Sequence, residues 1–427
     1  MRSAGPLALM LLTSLACASP DAPPPTDAPT DEADPQAQVR ARLEAMLAAN
    51  PEHGGVLYVF ARSAAARGEH AEALAHLERL AAVPTWDYPL EASDFGALAD
   101  TPEFQAIAAQ LSARAPAVEH GAVAMELDRL DLLPEGVAWN PRTNELLVGS
   151  LYERAVYAAD TRGQTRALVA PRTEGLLGVL GMEVDASRQQ LWVVAVGAPF
   201  VPSLDEAEQG LGGVWGFSLD PADEGRFLGR ALGPHPGLND LTVLADGRVV
   251  ATDSGAGALW VHTPGEDPSA TGSFVELAAP GTFFGANGIV AGPEPGVVYV
   301  ADFEGIHRVD TSGAVERLAL PEGAGVATLG GIDGLARSGT TLVGVQNLFS
   351  PGRVWAIELD ASGRALVRAR ILDDTHPRMG GPTTGAFVDA TRFWYLANAS
   401  LQFSPEGLRE AGPDDRHVIL EARIDPS

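Results

Sequence analysis

The sequence predicts a mainly β protein, a six-bladed β-propeller preceded by a small α-helical domain, and three observations lead there. A short phrase recurs six times, starting at Glu135, Leu180, Asn239, Asn287, Asp333 and Thr384, with spacings of 45, 59, 48, 46 and 51 residues. Its first residue varies, the second is usually Gly, and apolar residues then alternate. From about Val118 onward, short runs of Val, Ile, Leu and aromatics, such as QLWVVAVG, RVVATDSG, VVYVADF and TLVGVQN, are separated by Gly, Asp, Asn and Pro turns. Before that point, apolar residues recur near a 3.6 period instead. Six units of this length, each worth four strands, make a six-bladed propeller.

Taken in chain order, the N-terminus comes first. Arg2, the apolar run from Pro6 to Leu12 and the small residues before Cys17 form a signal-peptide pattern over residues 1–17. The run is too short to span a bilayer as a helix. Cys17 after Ser14-Leu15-Ala16 resembles the lipobox of bacterial lipoproteins, which implies acylation of Cys17 and a place in the cell envelope, lipid-anchored in the outer membrane or secreted to the periplasm. Residues 18–38 are rich in Pro, Asp, Thr and Ala and cannot bury a core, so they are expected to be a disordered acidic tether.

The helical region is expected over 39–115. Leu43, Met46 and Leu47 form one stripe, broken by Asn50-Pro51. Leu57, Tyr58, Ala61, Ala64 and Ala65 form the next, ended by Gly68. Ala71, Leu74, Leu77 and Leu80 form a third, closed by Pro84. This resembles one tetratricopeptide repeat, with closing helices in DFGALADTPEFQAIAAQL. Its two readings are a docking surface for a protein partner and a helical cap. The propeller is expected over 120–427. Either the strand from His417 or the early strand near Met125 would complete the last blade.

Composition excludes several function classes. The formal charge is −27, from 29 basic and 56 acidic residues, and the sequence contains no Lys. Nucleic acid is therefore not an expected partner, and Schiff-base and Walker-type chemistry are absent. Cys17 is the single cysteine, so neither a disulfide framework nor a thiolate site is available.

The innermost strand of every propeller blade lines the central channel, so the six phrase-initial residues should form a ring. That ring carries two carboxylates, Glu135 and Asp333, and two carboxamides, Asn239 and Asn287. Oxygen-only donors of mixed charge suit a hard divalent cation, calcium above magnesium, and the absence of His and Cys argues against zinc.

The phrases LLPEGVAWNP, GLNDLTVLADGRVVATDSG, GANGIVAGPEPGVVYVADF and GIDGLARSGTTLVGV resemble those of the gluconolactonase/regucalcin (senescence-marker-protein) family. Paraoxonases and diisopropyl fluorophosphatase are more distant relatives. The resemblance covers roughly residues 125–425. It implies one divalent ion, most often calcium, on the axis. Glu135, Asn287 and Asp333 would be direct ligands and Asn239 a direct or water-mediated one. Two departures stand out. His235-Pro-Gly-Leu occupies the stretch where gluconolactonase-like members carry an Arg, and Gly334 follows Asp333 in place of the Asn of paraoxonases.

Two histidines lie in loops leading into inner strands: His235, four residues before Asn239, and His376, eight before Thr384. The expected function is a calcium-dependent hydrolase of a lactone or other ester. Asp333 and His376 are its candidate catalytic groups, and His235, His376 and Thr384 its candidate substrate contacts. The alternatives are a non-catalytic envelope-binding propeller and a metal-free propeller of the strictosidine-synthase type. His262 and His307 fall within later strands and carry no expected role.

Overall fold

A computed structural model of the protein describes residues 35–424, apart from 117, 119, 200, 202–203, 266, 268, 400–402, 405–406 and 409–414. The leader with Cys17 and the tether as far as residue 34 lie outside the described residues. Two compact units divide the chain near residue 117, and 325–328 and 349–351 belong to the first of them.

Among the described residues the helical unit holds four α-helices: α1 (Pro35–Ala49), α2 (Gly54–Ala66), α3 (His70–Ala82) and α4 (Pro102–Ser112). Helix α1 begins four residues inside the segment expected to be tether, because Pro35 is tolerated in a first turn where its missing N–H has no partner to lose. The predicted breaks hold: α1 stops before Asn50-Pro51, Gly68 takes a positive φ just past α2, and α3 stops before Pro84. The side chain of Thr101 caps α4 by accepting from the Phe104 N–H. Helix α2 is the most buried, because Tyr58 packs among Trp86, Phe95 and Phe349 with ring centroids 5.5–6.0 Å apart. A Cβ on Gly54 would lie 2.3 Å from the Trp86 ring, so α2 can meet that indole only with glycine there.

The second unit is the propeller, with six antiparallel sheets in chain order round a channel. Blade I comprises Pro134–Asn140, Glu145–Ser150, Ala155–Ala159 and Thr165–Val169. The inner strands of blades II to VI are Gly178–Asp185, Leu238–Val243, Ile289–Ala291, Ile332–Ser338 and Gly385–Phe387. Blade II gains a fifth strand, Thr271–Gly272, lying parallel on its outer edge. The closure left open by the sequence uses both candidates. Val418–Arg423 is the third strand of blade VI, and Ala122–Glu126 pairs onto it as the fourth. The first and last strands of the propeller thus seal one sheet, which removes the open edge a propeller would otherwise present.

The core lies between blades. Leu147 and Val156 of blade I pack with Leu191, Val193, Trp215 and Phe217 of blade II, and Val343, Val345 and Val354 of blade V pack with Phe393, Tyr395 and Leu420 of blade VI. Middle strands are buried on both faces, which is why they read as near-continuous apolar runs.

Candidate metal centre on the propeller axis

The ring residues lie where the inner strands depart from regular pairing. Register shifts fall between Pro134 and Val137, Val179 and Met182, Leu238 and Leu241, and Ile332 and Gly334. Glu135, Leu180, Asn239 and Asp333 sit inside these bulges, which bend a strand and re-aim its side chains. Asn287 and Thr384 come just ahead of their inner strands.

The Gly after each ring residue has a steric cause. A Cβ on Gly136 would stand 2.0 Å from the Leu180 carbonyl oxygen, and one on Gly334 would stand 2.7 Å from the Thr384 Cα. Neighbouring inner strands touch backbone to backbone, which draws the ring tight. Blade III departs from this rule with Asp240, whose carboxylate accepts from the Leu241 N–H at 2.8 Å and the Ile289 N–H at 3.2 Å and so ties blade III to blade IV. Burial pushes the Asp240 carboxyl up to about 8.

Glu135 is 1% exposed, and neither of its carboxylate oxygens has a hydrogen-bond partner. Burial, then the charges of Asp333 and Asp240, hold its carboxyl well above the usual range. Leaving a buried carboxylate uncompensated costs several kcal/mol, on the order of 3–5. Asp333 is also buried, and its carboxyl is pushed up by burial against the pull of two amide donors. Asn287 Nδ2 donates to Asp333 Oδ1 at 2.7 Å, and Asn347 Nδ2 donates to Asp333 Oδ2. The oxygens of both carboxamides, Asn287 Oδ1 and Asn347 Oδ1, are buried without a partner. Asn239 Nδ2 donates to Ser254 Oγ at 3.1 Å, and Ser254 in turn donates to the Ala286 carbonyl at 2.5 Å, next to Asn287.

Four of these oxygens, two on Glu135 and one each on Asn287 and Asn347, are acceptors with nothing to accept from. Among the described residues, no three His, Cys, Asp or Glu converge on one point, so carboxamides complete the oxygen set round the two acids. An oxygen-only, net-negative, desolvated set with orphaned acceptors fits a hard cation such as calcium.

Asn347 and Ser254 are the site residues that sequence reading missed. Both take the same place in their blades, one residue beyond the second-strand residue paired with the predecessor of the ring residue: Gln346 with Ile332, and Asp253 with Leu238. A polar residue ending the second strand of a repeat was the available signal.

The remaining candidates have other partners. Thr384 is buried; its hydroxyl donates to the Glu135 carbonyl at 2.9 Å and accepts from the Val137 N–H at 3.1 Å. Its hydroxyl thus ties blade VI to blade I. His235 packs against Trp260 and Phe274 at ring distances of 4.6 and 5.2 Å, the latter residue in the outer strand of blade III. His376 stacks edge-on against His120 at 5.3 Å, and its Nδ1 accepts from the Arg378 N–H. Aromatic neighbours and a local turn thus engage both rings. His307 bonds Asp302 at 2.9 Å inside blade IV, as an ordinary structural pair.

Beyond the ring, the channel continues as a cavity of about 290 Å³ lined in part by Trp139, Glu183, Asp240, Arg337 and Phe387. Burial pushes the Glu183 carboxyl up to about 7, against donors on Thr242 and Val243.

No protein-family model matches this chain, and no curated protein does. Solved structures are matched at low identity. An aldose sugar dehydrogenase from Streptomyces coelicolor in its PQQ-bound form is 16% identical, covering 72% of this chain and 98% of its own, with a TM-score of 0.46. A gluconolactonase from Xanthomonas campestris is 16% identical over 72% and 99%, with a TM-score of 0.43. A calcium-binding regucalcin from Agrobacterium tumefaciens is 15% identical over 72% and 95%, with a TM-score of 0.43.

Proposed function

We propose that this protein is a calcium-dependent hydrolase of a lactone or related ester, working at the axial ring. The observation that carries the reading is the orphaned, buried Glu135 carboxylate beside the clamped Asp333. Glu135, Asn239, Asn287 and Asp333 would hold one divalent cation. When bound, the ion supplies positive charge that polarises an ester carbonyl.

The residues of the chain supply the rest. Asp333, fixed by two amide donors, would take the proton of the attacking water as the water oxygen bonds to the carbonyl carbon. It would return that proton to the leaving alkoxide as the acyl C–O bond breaks, so the chain ends unchanged. Thr384 keeps Glu135 in place through its backbone. His376 has no step in this scheme. The sequence leader supports a place in the cell envelope with Cys17 acylated, and the helical unit supports a protein partner.

Asp333→Ala should abolish both calcium binding and turnover, read by calorimetry and by a panel of lactones and aryl esters. A calcium-loaded protein that cleaves no member of the panel would sink the hydrolase reading.

A further inference from the structure

We propose that Asn347 is a fifth oxygen donor of the axial site and tilts its choice toward calcium over magnesium. This rests on reading the ring as a cation site.

Asn287 and Asn347 grip the two oxygens of Asp333 from either side through their Nδ2 groups. In both contacts the amide nitrogen donates and a carboxylate oxygen accepts. Each carboxamide is thereby left with its own oxygen at the rim of the same carboxylate, buried and without a partner. The orphans are then four: Glu135 Oε1, Glu135 Oε2, Asn287 Oδ1 and Asn347 Oδ1. A water carries two hydrogens, so one water would satisfy no more than half of them. A single cation can face all four. Each unsatisfied carboxamide oxygen is a standing cost that a structural amide would avoid by turning to a donor.

The selectivity follows from coordination. Calcium accepts about 6–8 oxygens in an adaptable shell, whereas magnesium holds an octahedron and keeps several waters. An added protein oxygen therefore stabilises calcium more. Asn347 is placed for this by following the second strand of blade V, one residue beyond Gln346, at the register step beside Asp333.

The test is calorimetric titration of the full chain with calcium chloride and with magnesium chloride, alongside melting in chelator. Asn347→Ala should lower calcium affinity about tenfold or more and magnesium affinity less than about threefold, with the chelator melting point little changed. Asn347→Asp keeps an oxygen and loses the donor, so it should restore calcium affinity. Three results overturn the proposal: calcium affinity unchanged in Asn347→Ala, equal losses for both metals, or Asn347→Asp as weak as Asn347→Ala. The last would leave Asn347 only as the clamp on Asp333. A wild-type protein that binds no calcium overturns the cation site itself, a separate outcome read before any variant is made.

Discussion

Two buried acids of the propeller stand in contrast. Asp373, at the end of blade V, is fully buried, and every lone-pair direction is used. Its Oδ1 meets His120 Nδ1 at 3.2 Å and accepts from the Asp374 N–H at 2.9 Å, while its Oδ2 accepts from the Gly121 N–H at 3.0 Å and the Tyr395 hydroxyl at 2.7 Å. Glu135 is as deeply buried and accepts nothing. One acid is mortar between blades V and VI, and the other is a vacancy in the hydrogen-bond accounting. Burial alone does not mark a functional acid; burial without partners does.

The contrast can be broken by substitution. Asp373→Ala should be the most damaging change, because it strands a tyrosine hydroxyl and backbone donors. We expect a loss of about 3–5 kcal/mol, some 10 °C in melting temperature, whether or not calcium is present. Glu135→Gln should leave melting in chelator unchanged or raised, since it removes an uncompensated charge, and should erase the stabilisation that calcium gives the wild type. Equal destabilisation in the two variants would end the distinction.

Glu183 in the channel is the intermediate case, half-buried with two donors. Its folded value of about 7 lies above the usual 4.5, so the folded state holds the proton more tightly. That stability is fully present below pH 4.5 and is lost as pH rises through 7. Glu183→Gln should therefore gain on the wild type as pH rises from 5 to 8, by about 3 kcal/mol at most. Parallel melting curves of the two proteins would refute the assignment.

The smallest effect is expected at His376. Packed on His120 beside the Asp373 group, it should be replaceable: His376→Ala should leave calcium binding unchanged and cost about 1 kcal/mol or less, read by calorimetry and melting. A large loss of turnover with intact calcium binding would return it to the reaction.

Fold and ring were legible because they repeat. Six phrases at near-constant spacing encode the channel, and their first residues encode its lining. Glu135, Asn239, Asn287 and Asp333 could be named because each opens a phrase. The ring contacts of the histidines were not legible for the opposite reason. A loop leading toward the axis says nothing of where along it a side chain turns, and Trp260 and His120 captured these rings through contacts between distant residues. Asn347 was overlooked because attention fell on the first strand of each unit, while its place is set by pairing to the second. The hydrogen bonds of Thr384 were not legible, since its partners on Glu135 and Val137 lie some 250 residues earlier in the chain.

That last separation has a consequence in time. The strand Ala122–Glu126 can join its sheet only after Val418–Arg423 exists, and Thr384 can steady Glu135 only when blade VI stands beside blade I. A chain still emerging from synthesis holds five blades with an open seam and an acid with no neighbour on one side. Long-range closure of this kind is slow and leaves strand edges exposed meanwhile. The axial centre is therefore complete only when the whole circle has closed.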